Sequence, residues 1–288
     1  MSSRNAKRLK SAGDTPPPAA VSDSNQSNVG SILDFAVPTE FVELPSRGIL
    51  YPQGHPLHGQ DTIEIRYMTA KDEDTLTSPA LLRKGLAIER LIQNVIVNKD
   101  ITAEELLVAD RSAIIIAARV TGYGSDYEAE ITCPSCGDNF ANEFDLSEYH
   151  EFFSGVNLED SGFDACGDGT YEIALPTTGV AVRVCLLNGK DENRMSKAKE
   201  LKSKNKLPDS AMTDLFKTII HSINGVTDAE TLRQFIDLMP AKDSRFLRKQ
   251  YQKLVPSVNL TQAVECPSCG ATTEMEVPLG ATFFWPDS

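Results

Sequence analysis

The 288-residue sequence predicts an α+β fold: a mainly helical body inserted between the two halves of a four-cysteine zinc ribbon, with short β-hairpins and a disordered N-terminal arm. Three observations predict it. One pentapeptide occurs twice, as Cys133-Pro134-Ser135-Cys136-Gly137 and as Cys266-Pro267-Ser268-Cys269-Gly270. Alternating segments flank both copies, Tyr127 to Thr132 and Phe140 to Leu146 around the first, Ala263 to Glu265 and Thr272 to Leu279 around the second, and such alternation marks strands. Elsewhere, before the first copy and between the two, apolar residues recur at helical spacing.

The repeated pentapeptide dictates its own chemistry. Aligned on the cysteines, Ile131 falls on Val264, Glu143 on Glu276, Phe144 on Val277 and Leu146 on Leu279, as in two halves of one ribbon. Two residues between cysteines, with glycine following, let one tight turn aim both sulfurs at a point about 2.3 Å away. The glycine supplies the positive φ of that turn. Cys133, Cys136, Cys266 and Cys269 are therefore the expected ligands of a structural zinc, closed to water and substrate by its four thiolates. A redox Cys-x-x-Cys would open a helix in a βαβ setting, whereas strands lie on both sides here.

Composition narrows the function classes. With 41% hydrophobic residues the chain can build a substantial core, and no apolar run approaches the ~18 residues of a membrane span. The polar amino terminus does not resemble a secretory signal, so the expected setting is reducing and intracellular, which suits thiolate ligands. Net charge is −13, from 28 Lys and Arg against 41 Asp and Glu, but its distribution decides more than its total. Residues 126–168 hold twelve acids and 259–288 hold four, and neither stretch has a Lys or Arg. A zinc ribbon so charged would repel nucleic acid, since phosphate contact requires cations.

Taken in order, residues 1–32 form the arm, with Arg4, Lys7, Arg8 and Lys10 followed by Pro16-Pro17-Pro18 and little to bury. Residues 33–68 alternate briefly between breaks and read as an extended arm with short strands, His55 and His58 standing in a surface loop. The first helical block, 69–125, opens on a capping box at Thr69 and Asp72. One apolar face follows from Leu81 through Ile96, then a second capping box at Thr102 and Glu105, then a helix capped by Asp110. The first ribbon half occupies 126–146. An acidic solvated loop and a hairpin around Thr177-Thr178-Gly179 fill 147–187, with Cys185 on the hairpin's apolar face.

The second helical block, 188–256, begins with an exposed helix over Lys190 to Lys206, which carries seven Lys or Arg against Asp191, Glu192 and Glu200. Lys197, Lys199 and Lys202 on it are candidate partner contacts. An amphipathic helix through Leu215 to Ile223 stops at Asn224-Gly225, another is capped by Thr227 with Glu230, and a last one places Leu247, Tyr251 and Leu254 on one side. Residues 257–288 hold the second ribbon half and the aromatic tail Phe283-Phe284-Trp285, a further candidate docking element that could instead pack on its own ribbon.

No catalytic constellation stands out: His55, His58, His150 and His221 are scattered, and neither a nucleophile elbow nor a phosphate loop occurs. The expected protein is not an enzyme but acts by protein contacts. The alternative is nucleic-acid binding through 190–206 and the basic amino terminus, with the ribbon as a prop.

Longer words carry a resemblance. Phe41 to Gly48 with Tyr51-Pro52, Ile63 to Asp74, Asp110-Arg111, Ala117 to Arg119, Thr121 to Gly124 and the first Cys-Pro-Ser-Cys together resemble the baseplate hub protein family of T-even-like contractile-tailed phages, over roughly residues 40–280. The resemblance implies a phage protein made in the host cytoplasm, working in assembly of the baseplate hub and partnered by other baseplate or tail proteins. It carries over no catalytic residue, and neither a membrane contact nor a small-molecule substrate is expected.

Overall fold

The computed structural model describes residues 37–156, 158–205, 210–278 and 281–284; the expected arm at 1–32, Leu279 and Trp285 lie outside them. The described residues from Pro38 onward form one compact unit. Its single core cluster runs from Val42 to Phe284.

Strands β1 (Thr39–Glu43) and β2 (Thr62–Arg66) pair antiparallel, with Thr39 opposite Arg66. Val42, Ile63 and Ile65 turn inward. Helix α1 (Ala70–Thr77) starts on the expected capping box, where Asp72 accepts from the Thr69 N–H at 2.9 Å and the Thr69 hydroxyl at 2.8 Å. The same carboxylate takes a two-pronged bond from Arg66, at 2.7 and 3.0 Å, tying helix to strand.

The single apolar face expected over Leu81 to Ile96 is instead two helices. Helix α2 (Pro79–Lys84) ends where Gly85 takes φ 66°, and α3 (Ala87–Val95) resumes from there. A left-handed glycine terminates a helix by satisfying its last carbonyls, and here the Gly85 N–H bonds the Leu82 carbonyl. Periodicity alone does not see that break. The second expected capping box yields only a 3-10 turn, Ala103–Glu105.

Helix α4 (Val108–Tyr123) forms the central rod, with Ala113, Ile114, Ile116 and Ala117 all inaccessible to solvent. Asp110 does not cap it. The N-cap is Leu107, and the Asp110 carboxylate turns away to accept from the Ser46 N–H (3.0 Å), the Ser46 hydroxyl (2.7 Å) and the Tyr51 hydroxyl (2.8 Å). These bonds staple the extended 44–60 segment to the rod. Burial raises the Asp110 pKa from its ordinary value while the three donors pull it back.

Hairpin β3 (Asp126–Thr132) and β4 (Asn139–Asp145) follows, then β5 (Phe153–Ser154), a short helix α5 (Leu158–Ser161), β6 (Asp164–Ala165), β7 (Thr170–Ala174) and β8 (Ala181–Cys185). The acidic loop is thus partly ordered into small elements. Helices α6 (Gly189–Lys204) and α7 (Ala211–Ile219) lead to β9 (Ile220–Ile223). A helix through Ile223 was the expectation. Pairing with β8 wins instead and completes a four-stranded sheet of order β6-β7-β8-β9. Cys185 sits on the half-buried side of β8, its sulfur 3.4 Å from the Ile219 carbonyl, while Val182 and Val184 take the core face.

Helix α8 (Ala229–Leu238) is capped by Asp228, which accepts from Thr231 N–H, and not by Thr227. Asx side chains at this position reach the third amide better than a residue one place earlier. Pro240 ends that helix and opens α9 (Ala241–Leu254), whose Leu247, Tyr251 and Leu254 are buried as the spacing requires. Strand β10 (Ser257–Val258) pairs with β5, and β11 (Thr261–Glu265) with β12 (Thr272–Glu276) makes the second cysteine hairpin.

Candidate metal centre and the faces around it

The two cysteine turns are copies in structure as in sequence. In the first, Gly137 N–H bonds the Cys133 carbonyl at 2.9 Å and Cys133 N–H bonds the Asp138 carbonyl at 2.8 Å; in the second, Gly270 bonds Cys266 at 2.9 Å and Cys266 bonds Ala271 at 3.0 Å. Gly137 and Gly270 adopt φ of 78° and 68°. That conformation is cheap only for glycine.

Although Cys133 and Cys269 are 136 residues apart, their sulfurs lie 3.8 Å from each other, and those of Cys136 and Cys266 lie 3.7 Å apart. All four sulfurs fall within 4.8 Å of one another. Thiolates held about 2.3 Å from one tetrahedral centre must stand about 3.8 Å apart, so the spacing fits a single four-coordinate ion. A disulfide would need about 2.05 Å. Four sulfurs in a tetrahedron suit zinc or iron.

Electrostatics at Cys133, Cys136 and Cys269 point the same way. Cys133 is pulled down to about 6, chiefly by the Cys136 N–H and also by that of Ser135. At Cys136 the Asp138 N–H lowers the pKa, but burial and the contacts with Cys133, Cys269 and Cys266 outweigh it and push the thiol up to about 12. Cys269 is also raised, its Ala271 N–H and Cys136 contacts outweighed by Cys266, burial and Cys133. One sulfur ionises easily and its neighbours then resist, a conflict that a divalent cation removes by stabilising all the thiolates together.

The hairpins are joined at both ends. Near the sulfurs, the Ser268 hydroxyl donates to the Asp138 carboxylate. At the far end, Gln262 brackets Asp145, donating to its carbonyl at 2.6 Å and accepting from its N–H at 3.3 Å. Beneath them the Tyr127 hydroxyl donates to the Pro278 carbonyl at 2.9 Å.

Arg119, only 1% exposed, is the residue that sequence reading missed. Its guanidinium donates to the carbonyls of Phe283 (2.7 Å), Gly124 (2.6 Å) and Asp126 (3.0 Å), clamping the C-terminal turn and the start of β3 to the end of α4. The rings of Tyr123 and Tyr127 lie 5.4 and 5.8 Å from it. Nothing in spacing or composition marks this arginine, because its acceptors are backbone.

A family model described as T4 bacteriophage base plate protein matches residues 40–285. The chain belongs to that family. Among curated proteins and among solved structures, no match was found. As a phage baseplate structural protein, it belongs to the virion tail and works in contact with other tail or baseplate proteins. Among the described residues, no helix is long and apolar enough to cross a membrane.

The other candidate residues of this baseplate protein fall in different places. Phe283 and Phe284 are each 2% exposed, with the Phe283 ring 5.1 Å from Tyr127 and 5.3 Å from Phe284. They pack into the protein's own core. Lys197 and Lys199 are exposed on α6, whereas Lys202 is half-buried and bonds Asp214 and Ser210. His55 stacks on Tyr51 with ring centroids 4.4 Å apart, and His58 Nδ1 donates to the Tyr51 carbonyl at 2.7 Å, both shaping the loop.

Proposed function

We propose that this baseplate protein is a hub component or hub assembly factor that acts through protein contacts alone and is built around one structural zinc held by Cys133, Cys136, Cys266 and Cys269. The convergence of four thiols at tetrahedral spacing carries the reading. A four-thiolate zinc leaves no position for water or substrate, so its contribution is to folding and not to chemistry. Structural zinc contributes on the order of 10 kcal/mol. Doubling the length of the loop it closes costs only about 0.6 kcal/mol. The ion therefore fastens the two hairpins, and everything strung between them, into one body.

The hub assignment rests on the words at 41–52 and 63–74, and the basic side of α6, with Lys197 and Lys199, is the proposed docking surface. Synthesis in the host cytoplasm suits thiolate ligands. Elemental analysis of purified protein tests the metal: one zinc per chain supports the reading, and none, or iron, refutes it. Mass spectrometry of purified virions beside a pull-down from infected cells tests the hub role, through the identity of the co-purifying tail proteins.

A further inference from the structure

The molecule carries two exposed faces of opposite charge, the acidic one without a salt bridge among the described residues and the basic one with only local or exposed pairs. The outward side of the β3–β4 hairpin presents Asp126, Glu128 and Glu130 on one strand and Glu143 and Asp145 on the other, all exposed. The register sets Asp126 directly opposite Asp145 and Glu128 directly opposite Glu143. Like charges paired across strands destabilise a hairpin. None of these five carboxylates makes a salt bridge among the described residues, Arg119 beneath the hairpin acts on Asp126, and no Lys or Arg exists anywhere in 126–168.

Helix α6 is the converse. From Ser196 to Leu201 every residue is exposed, and Gly189 alone in the helix is buried. A helix with so little buried surface gains little stability from packing. Along one side run Lys190, Arg194, Lys197, Leu201 and Lys204, at the three- and four-residue steps that place side chains in one stripe. Leu201, in the middle of the cations, is 60% exposed. Lys190, Arg194 and Lys204 have only exposed partners or neighbours along the helix, pairs of the weak kind. Lys197 has no ion pair among the described residues.

The two faces match in length as well as sign. The ten helical rises from Arg194 to Lys204 span about 15 Å, and the carboxylate rows from Asp126 to Glu130 span about 13 Å. We propose that α6 of one copy lies across the outward β3–β4 face of a second copy, so that the chain self-associates head to tail. Because one copy's helix meets another's sheet, the contact is heterologous, and repetition closes a ring or extends a row. Cations inserted between the facing carboxylates remove the cross-strand repulsion, and Leu201 gains cover. The inference rests on the structural role of the family but not on the identity of the metal.

The test is sedimentation velocity of the full chain, with its metal, at about 0.1 M and about 1 M salt, where the screening length falls from about 10 to about 3 Å. Association at low salt and monomer at high salt is expected. Two charge-reversed proteins then locate the contact: Arg194→Glu with Lys197→Glu, and Glu128→Lys with Glu143→Lys. All four positions are exposed, and circular dichroism with the zinc content confirms each fold. Each variant alone should be monomeric, and an equimolar mixture should recover the wild-type species, since every reversed face then meets an opposite one. A wild type that stays monomeric, a single variant that still associates, or a mixture that does not recover would each overturn the proposal. A missing zinc with intact association would refute only the metal reading.

Discussion

Substituting Arg119 by alanine removes a guanidinium that donates to three carbonyls drawn from three elements: Gly124 after α4, Asp126 at the start of β3 and Phe283 in the C-terminal turn. The Phe283 bond is fully buried, so its acceptor would be left without a donor, while the other two are partly accessible and can recover water. An orphaned buried acceptor costs about 1–3 kcal/mol. The lost side-chain packing and the cavity add a comparable amount, giving a net loss of about 3–4 kcal/mol. For a chain of this size that lowers the melting temperature by about 10 °C. Urea unfolding gives the free energy, and amide exchange gives the place: exchange at 283–284 should rise well above the increase in α9, which Arg119 does not touch. A loss below about 1 kcal/mol, or exchange rising evenly over the chain, would refute the clamp.

Three more outcomes follow from the same contacts. Replacing Cys133 and Cys266 together by serine should take bound zinc from one per chain to none by elemental analysis and leave a protein that is cleaved readily by protease, because two ligands do not hold the hairpins. Asp72 is held down at about 2, against an ordinary value of 3.8, because burial, which raises it, is outweighed by the bonds from Arg66 and Thr69. A depressed acid stabilises the fold above its unfolded pKa and loses that contribution as pH falls. Urea midpoints should therefore drop between about pH 4 and 2, and Asp72→Asn should flatten that part of the profile. Tyr51→Phe removes a hydroxyl that bonds both Asp110 and the Leu107 N–H. It should cost about 1–3 kcal/mol in urea unfolding, with the 44–60 segment exchanging first.

The cysteine turns were legible in the sequence because their chemistry is local: spacing and glycine decide where the sulfurs point, and a duplicate decides that they meet. The Thr69–Asp72 box was legible for the same reason. Where reading failed, a distant partner had outbid a local preference. Asp110 looks like a cap but answers to Ser46 and Tyr51, more than fifty residues earlier. Ile220 to Ile223 continue a helical pattern yet pair with β8. The words behind the family resemblance gain a physical sense here. Ser46, Tyr51, Arg66, Asp72, Asp110, Arg111 and Arg119 are the polar joints between elements, Arg111 donating to Glu89 at 2.7 Å and to the Ala103 carbonyl at 2.8 Å. A β-carbon at Gly189 would overlap that guanidinium, so any larger residue at the start of α6 would have to displace Arg111 from its bonds.

The order in which the chain leaves the ribosome gives the split sulfur centre a further meaning. Cys133 and Cys136 emerge first, but Cys269 follows Cys133 by 136 residues, roughly ten seconds of translation in a bacterium. During that interval a half-formed pocket can hold a metal only loosely, and the intervening helices must collapse without their fastener. The final knot is tied after nearly all of the described body has been made, so a product cut short by premature termination would keep a loose pair of thiols and be recognisable to proteases as unfinished.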